Sequence, residues 1–194
     1  MSRLLDAVFA NDLRRVTAIL ERDPSKIADQ VALCQAIGWG RCEVSRLLID
    51  RGADVNARDR NGSYLLFMAC MSPANELFHE LVQRGALLQD VGEIACCAAT
   101  HGRTDILEYL HATGASLDQG LQGSRPIDAA IGTGDISTVS FLLAKGVNCS
   151  HIDTSKPLRP WKGALASKED MDSIRELINQ HDRTSRWMRW REAP

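Results

Sequence analysis

Aromatic residues make up only 5% of this 194-residue sequence, and no long apolar run interrupts it. Its 44% hydrophobic content is therefore mostly Ala, Leu, Ile and Val, the composition of closely packed helices rather than of a large sheet sandwich. No stretch approaches the roughly 18 apolar residues that a membrane span requires, so no transmembrane segment is expected. The opening MSRLLDAVFANDLRRV is broken by Asp6, Asn11, Asp12 and two arginines, unlike the apolar core of a secretory signal. Charge of one sign is also lacking. With 23 Lys and Arg against 25 Asp and Glu, the formal charge is −2, too little for a global field that draws nucleic acid or an anionic membrane.

Catalytic signatures are missing as well. There is no G-x-S-x-G elbow, no phosphate loop and no H-E-x-x-H. GTGDIS at 132–137 looks like part of a glycine-rich loop, but no lysine follows it. His101 and His111 read as surface residues rather than as ligands. Six cysteines, Cys34, Cys42, Cys70, Cys96, Cys97 and Cys149, fall mostly inside apolar helical segments, where free thiols act as small hydrophobes. The adjacent Cys96 and Cys97 lack the two-residue gap of zinc and redox pairs. The expectation is no catalytic residue, no cofactor, no metal and no enzyme, in a reducing, cytoplasmic setting.

What the sequence does contain is a repeat. Four amphipathic stretches end in a glycine and a small residue: LLIDRGAD at Gly52, LVQRGALL at Gly85, YLHATGAS at Gly114 and FLLAKGVN at Gly146. Successive glycines stand 33, 29 and 32 residues apart. Each supplies the left-handed backbone that closes a helix, where a Cβ would clash. Three and four residues earlier come Leu48 and Ile49, Leu81 and Val82, Leu142 and Leu143, and the imperfect Leu110 and His111. Seven earlier come Ser45, Phe78, Leu107 and Val139, which completes an apolar stripe on a helix. Twelve earlier, Gly40, Pro73, Gly102 and Gly134 break the chain before this outer helix. Sixteen earlier stand Ala36, Ala69, Ala98 and Ala130, small enough for two helices to approach closely. The same ruler runs back to a first unit that ends at Asp23, with Val16, Ile19 and Leu20 as stripe, Asn11 at the break and Ala7 at the small position. Run forward, it gives a divergent last unit ending at His181, with Ile174, Leu177 and Ile178 as stripe, Glu169 at the break and Leu165 at the small position. Terminal units of a stack face water on one side and depart from the pattern.

These residues resemble the ankyrin repeat, a unit of about 33 residues with a turn and two antiparallel helices. The best local matches are GADVNARDRNG at 52–62, THGRTDILEYLHATGAS at 100–116 and GSRPIDAAIGTGDISTVSFLLAKGVN at 123–148. The family's T-P-L-H tetrapeptide is Tyr64-Leu65-Leu66-Phe67 in one unit and Arg125-Pro126-Ile127-Asp128 in another, so no copy is intact. The resemblance implies an all-α, ankyrin-type helical repeat solenoid of about five to six stacked helix-turn-helix units. It forms one domain over 1–182, with approximate repeats 1–29, 30–58, 59–90, 91–120, 121–153 and 154–182. The two units of 29 residues are expected to lack the full projecting turn.

In such proteins the turns and the exposed ends of the inner helices form a concave surface that binds folded protein partners. The resemblance thus implies a protein-protein interaction module, an adaptor or inhibitor; neutralising a toxin and regulating an enzyme are two uses open to it. Thirteen and fourteen residues before each stop stand Gly38 and Trp39, Met71 and Ser72, Thr100 and His101, Gly132 and Thr133. Trp39 leads these candidates, since tryptophans at interface centres often cost about 2 kcal/mol when truncated; packing between the first three repeats is its other reading. Arg58, Asp59, Arg60, Tyr64, Gln122 and Arg125 would project from the turns, with plain solvated turn chemistry as the alternative. Trp161 lies in a longer loop, 146–163, that reads either as a binding loop or as a linker to an atypical cap.

The basic tail 183–194 sets Arg183, Arg186, Arg189 and Arg191 around Trp187 and Trp190. It offers an alternative function, binding nucleic acid or an anionic surface. Its other role is to cover the last repeat with its tryptophans. The expected partner is a protein rather than nucleic acid, and the isolated chain is expected to be a monomer.

Overall fold

The computed structural model describes residues 2–120 and 123–191, the side chains of 185–191 excepted. The chain divides into two compact units, Met1–Asp90 and Val91–Pro194. The first holds α1 (Arg3–Phe9), α2 (Leu13–Arg22), α3 (Gln30–Gly38), α4 (Cys42–Asp50), α5 (Leu65–Met71) and α6 (Glu76–Gln83). The second holds α7 (Val91–Thr100), α8 (Thr104–Ala112), α9 (Pro126–Thr133), α10 (Ile136–Ala144) and α11 (Lys168–Arg191). Among the described residues the only extended pairing is an isolated antiparallel bridge between Arg58 and Tyr64. Among the described residues the fold is an all-α helical repeat, with three helix pairs in the first unit and two pairs and a closing single helix in the second.

Helices this short are marginal alone in water, so each pair depends on its neighbours. The alanines of the small position meet that need. Ala7, Ala36, Ala69, Ala98 and Ala130 are all fully buried, which lets α1 pack on α3 and α3 on α5 in the first unit, and α7 on α9 in the second. The outer stripes are buried as well: Leu48 and Ile49 on α4, Phe78 and Leu81 on α6, Leu107 and Leu110 on α8, Val139 and Leu142 on α10. His111, the imperfect copy, is exposed.

Gly52, Gly85, Gly114 and Gly146 all have positive φ, between 78° and 95°, and each follows the last turn of its outer helix. At the breaks Gly40, Gly102 and Gly134 do the same, and Asn11, read into that register from sequence, has φ 55°. Asp23 differs. Its φ is −142°, and the chain passes straight into a 3-10 turn over Pro24–Ala28. Among the described residues the one bridge that marks a projecting hairpin, Arg58 to Tyr64, lies in the α4–α5 connection, and neither this turn nor the short link at 84–90 has one. The altered tetrapeptides leave their mark too, because neither Tyr64 nor Arg125 caps its helix with a side-chain hydrogen bond.

The end of the chain departs from the ruler. Residues 154–167 form no helix, and Leu165, placed by register at a buried small position, is fully exposed. The remaining helix α11 packs on α10 and buries Met171, Ile174 and Ile178, two of the three predicted stripe residues among them. It runs through His181 without stopping and includes 183–191, so the segment read as a tail continues the helix. Of that basic cluster, Arg183 is exposed, and the side chains of Arg186, Trp187, Arg189, Trp190 and Arg191 lie outside the described residues. No described helix is long and apolar enough to cross a membrane.

Candidate partner-binding surface

Trp39 caps the C-terminus of α3, where the register puts it, and is half-buried. Its ring meets that of Phe9 edge-to-face, with centroids 4.9 Å apart and planes at 82°. Phe9 ends α1 and is 57% exposed. It was not among the candidates read from sequence, yet the signal was present: counted back fourteen residues from Asp23, it occupies the register of Gly38 and Met71. Met71, the last residue of α5, is 46% exposed. The neighbouring Ser72 is buried, and its hydroxyl accepts the Ala74 N–H at 3.3 Å.

Successive break turns touch one another, which fixes this row. Arg41 donates Nη2 to the Phe9 carbonyl at 3.2 Å, so the turn after α3 holds the end of α1. On its other side, a Cβ added to Gly40 would stand 2.9 Å from the Pro73 ring and 3.3 Å from the Ala74 methyl. Trp39 therefore lies between the end of α1 and the turn that follows Met71.

Beside Trp39 opens a cleft of about 410 Å³. The inner helices contribute Leu5, Val31, Cys34, Gln35 and Met68, and the α4–α5 turn contributes Asp59, Arg60 and Asn61. Asp59 holds that turn, its Oδ1 accepting the N–H groups of Asn61 and Ser63, both at 2.8 Å. Arg58 lies 3.7 Å over the Tyr64 ring and donates to the Gly62 carbonyl at 3.1 Å, while the Tyr64 hydroxyl donates to Gln89. Arg58 and Tyr64 thus fasten the hairpin, whereas Arg60 is exposed and makes no ion pair or hydrogen bond among the described residues. Trp39, Asp59 and Arg60 are the three candidates singled out from sequence that share the cleft.

In the second unit the corresponding positions are polar or covered. Thr100 turns its hydroxyl back to the Cys96 carbonyl at 2.8 Å. His101 is exposed, with Nδ1 2.9 Å from the Cys97 carbonyl and 3.7 Å from its sulfur. Trp161, 49% exposed, donates its backbone N–H to the Gly132 carbonyl at 2.7 Å and lays its indole against that glycine. Arg125 donates Nη1 to His151 Nδ1 at 3.1 Å. Because arginine has no lone pair to offer, that nitrogen accepts and Nε2 carries the proton toward Asp128, 2.7 Å away. Gln122 lies outside the described residues.

Burial, reinforced by the nearby Asp59 charge, pushes the Cys34 thiol up to about 11, so at neutral pH it is protonated and weakly nucleophilic. Burial does the same to Cys149, also to about 11, with Asp182 adding to the effect. All six cysteines are free thiols. Among the described residues no group of three or more His, Cys, Asp or Glu side chains is arranged to hold a metal ion.

Residues 29–60, which carry α3, α4 and most of the hairpin, match the family model of the ankyrin repeat. That segment is an ankyrin repeat. Ankyrin repeats in general are protein-protein interaction modules, and the matched span includes Trp39, Arg58 and Arg60. Over 177 residues, 90% of its length, the chain is 20% identical to the potassium channel AKT2/3 of Arabidopsis thaliana. It spans only 22% of that relative.

Proposed function

We propose that the chain is a non-enzymatic adaptor or inhibitor that holds a protein partner on its concave face, with Phe9, Trp39 and Met71 of the first unit at the centre. The observation that carries this reading is the half-buried Trp39 set between the exposed Phe9 and Met71 at the ends of successive inner helices. Exposed Leu or Met residues scattered singly need no explanation, but an aromatic pair and a methionine in line, above an apolar cleft, are what interface centres are made of. Arg60 borders this centre, and Arg58 and Tyr64 supply the rigid hairpin beside it. On the second unit, Thr100, His101 and Arg125 offer polar contacts of their own. Neutralising a toxin and regulating an enzyme are both within reach of such a surface. Six free thiols suit a reducing cytoplasm, and we assign the chain there as a monomer.

The test is a pull-down from the native cell with the wild-type chain and Trp39→Ala side by side, both checked for helical content by circular dichroism. The partner should be captured by the first and lost from the second. For a purified partner, truncation should weaken binding by about 2 kcal/mol, roughly thirty-fold. Equal capture by the two chains would take Trp39 out of the site and the reading with it.

A further inference from the structure

The charges around Trp39 say what sort of segment the cleft takes. Two arginines flank the tryptophan, and neither forms an ion pair among the described residues: Arg41 on the side of Phe9, and Arg60 across the cleft. Arg41 is held in place by its bond to the Phe9 carbonyl, and its Nε–H is buried without an acceptor. The one carboxylate at the cleft, Asp59, is occupied by the N–H groups of its own turn, with the Asn61 amide a further 3.4 Å contact. At the outer helices the pattern is the opposite. Arg46 meets Glu76 at 2.9 Å and Glu80 at 2.8 Å, and Arg84 meets Asp50.

We infer that the partner presents a short acidic segment, in which one large apolar side chain enters the cleft beside Trp39 and flanking Asp or Glu residues meet Arg60 and Arg41. This rests on the reading of the Phe9–Trp39–Met71 row as the binding centre. Leu5, Val31 and Met68 make the cleft a socket for an aliphatic or aromatic group. A nucleic-acid strand would instead need a basic track along its phosphates, and two arginines across an apolar socket do not make one. A basic segment would bring like charges against both guanidiniums.

A displayed library of random dodecapeptides, selected on the immobilised full-length chain, tests this. Enriched peptides should carry Asp or Glu beside a Trp, Phe or Leu. By fluorescence anisotropy, Arg60→Glu should weaken a labelled acidic winner about tenfold at low salt, with the gap narrowing as salt rises, and should favour a version of that peptide with Lys at the flanks. Arg60 is exposed in a turn, so its replacement leaves the fold intact. Winners that need Trp39 but show no acidic bias, or ignore Arg60→Glu, overturn the inference and leave the binding centre standing. Winners that Trp39→Ala binds as well remove the centre itself. No enrichment at all, or displacement of the winners by oligothymidylate, also overturns the acidic segment.

Discussion

Trp161 stands to Gly132 as Met68 stands to Gly38. The two glycines occupy the same place in the repeat, fourteen residues before their helix stops. A Cβ on Gly38 would meet the Met68 methyl at 3.4 Å, and one on Gly132 would meet the Trp161 indole at 2.2 Å. In the first case the neighbour belongs to the next inner helix. In the second no further inner helix follows among the described residues, and an irregular segment supplies an indole in its stead, tied by a backbone hydrogen bond. The open side of the fifth helix pair is covered without a sixth pair.

This contact makes Gly132→Ala a sharp test. Alanine favours a helix over glycine by about 1 kcal/mol, so on propensity alone the change should stabilise α9. The indole leaves no room for a methyl group, and overpacking of this kind costs about 1–3 kcal/mol. The clash should win. Thermal unfolding should show a lower midpoint, with Trp161 displaced toward water. A higher midpoint would mean that the indole moves aside at no cost and does not cover the repeat.

The buried alanines yield a second prediction. Ala98 on α7 is fully buried where α7 packs on α9. Ala98→Leu inserts three carbons into a fully buried helix contact, and the helices must separate. Urea unfolding should report a loss of about 1–3 kcal/mol or more. A neutral result would contradict the view that small side chains set the distance between inner helices.

Most of this architecture can be read in the sequence because it is periodic. Ala98 and its three counterparts, the glycine stops and the outer stripes recur at fixed offsets, so each unit corroborates the others. Even the substitution of Asn11 for a break glycine follows, since asparagine tolerates a positive φ. Legibility fails where the period fails. Leu165 and Glu169 fit the ruler by position, but the segment before α11 has two prolines at 157 and 160 and never forms an inner helix. The binding surface is half legible for a related reason. Trp39 stands out by residue type, whereas Phe9 acquires meaning only once Asp23 is accepted as a helix stop without glycine. That Arg41 and Arg60 lack carboxylates while Arg46 has two is a fact of tertiary contact, which no spacing encodes.

The start of α11 gives a prediction about pH. Ser167 and Asp170 cap it reciprocally: Asp170 Oδ2 accepts the Ser167 N–H and hydroxyl, both at 2.8 Å, and Ser167 Oγ accepts the Asp170 N–H at 3.1 Å. These bonds, that from the Ser167 backbone foremost, hold the Asp170 carboxyl below its usual 3.8. A carboxyl depressed in the folded state contributes stability that is whole above its ordinary value and disappears as pH falls through the lower one. Asp170→Asn should therefore unfold more easily than the wild type near neutrality, and the two should converge in strong acid. A difference that persists undiminished in acid would assign the effect to something other than the carboxylate.

Thiol reactivity offers the last prediction. Cys34 and Cys149 are buried, and both are pushed up to about 11, so near neutrality almost none of either is thiolate. Alkylation by iodoacetamide needs the thiolate and a path to it. Mass spectrometry of the native chain should find both residues unmodified long after a free thiol would have reacted, and urea should release them together with the fold. The same shift has a consequence in alkali. A thiol raised in the folded state adds stability that is full below its ordinary value of 9.0 and is lost as pH climbs toward 11. Rapid labelling of Cys34 in the folded chain would mean that the cleft beside Trp39 opens widely. The socket assigned to an apolar side chain would then not be preformed.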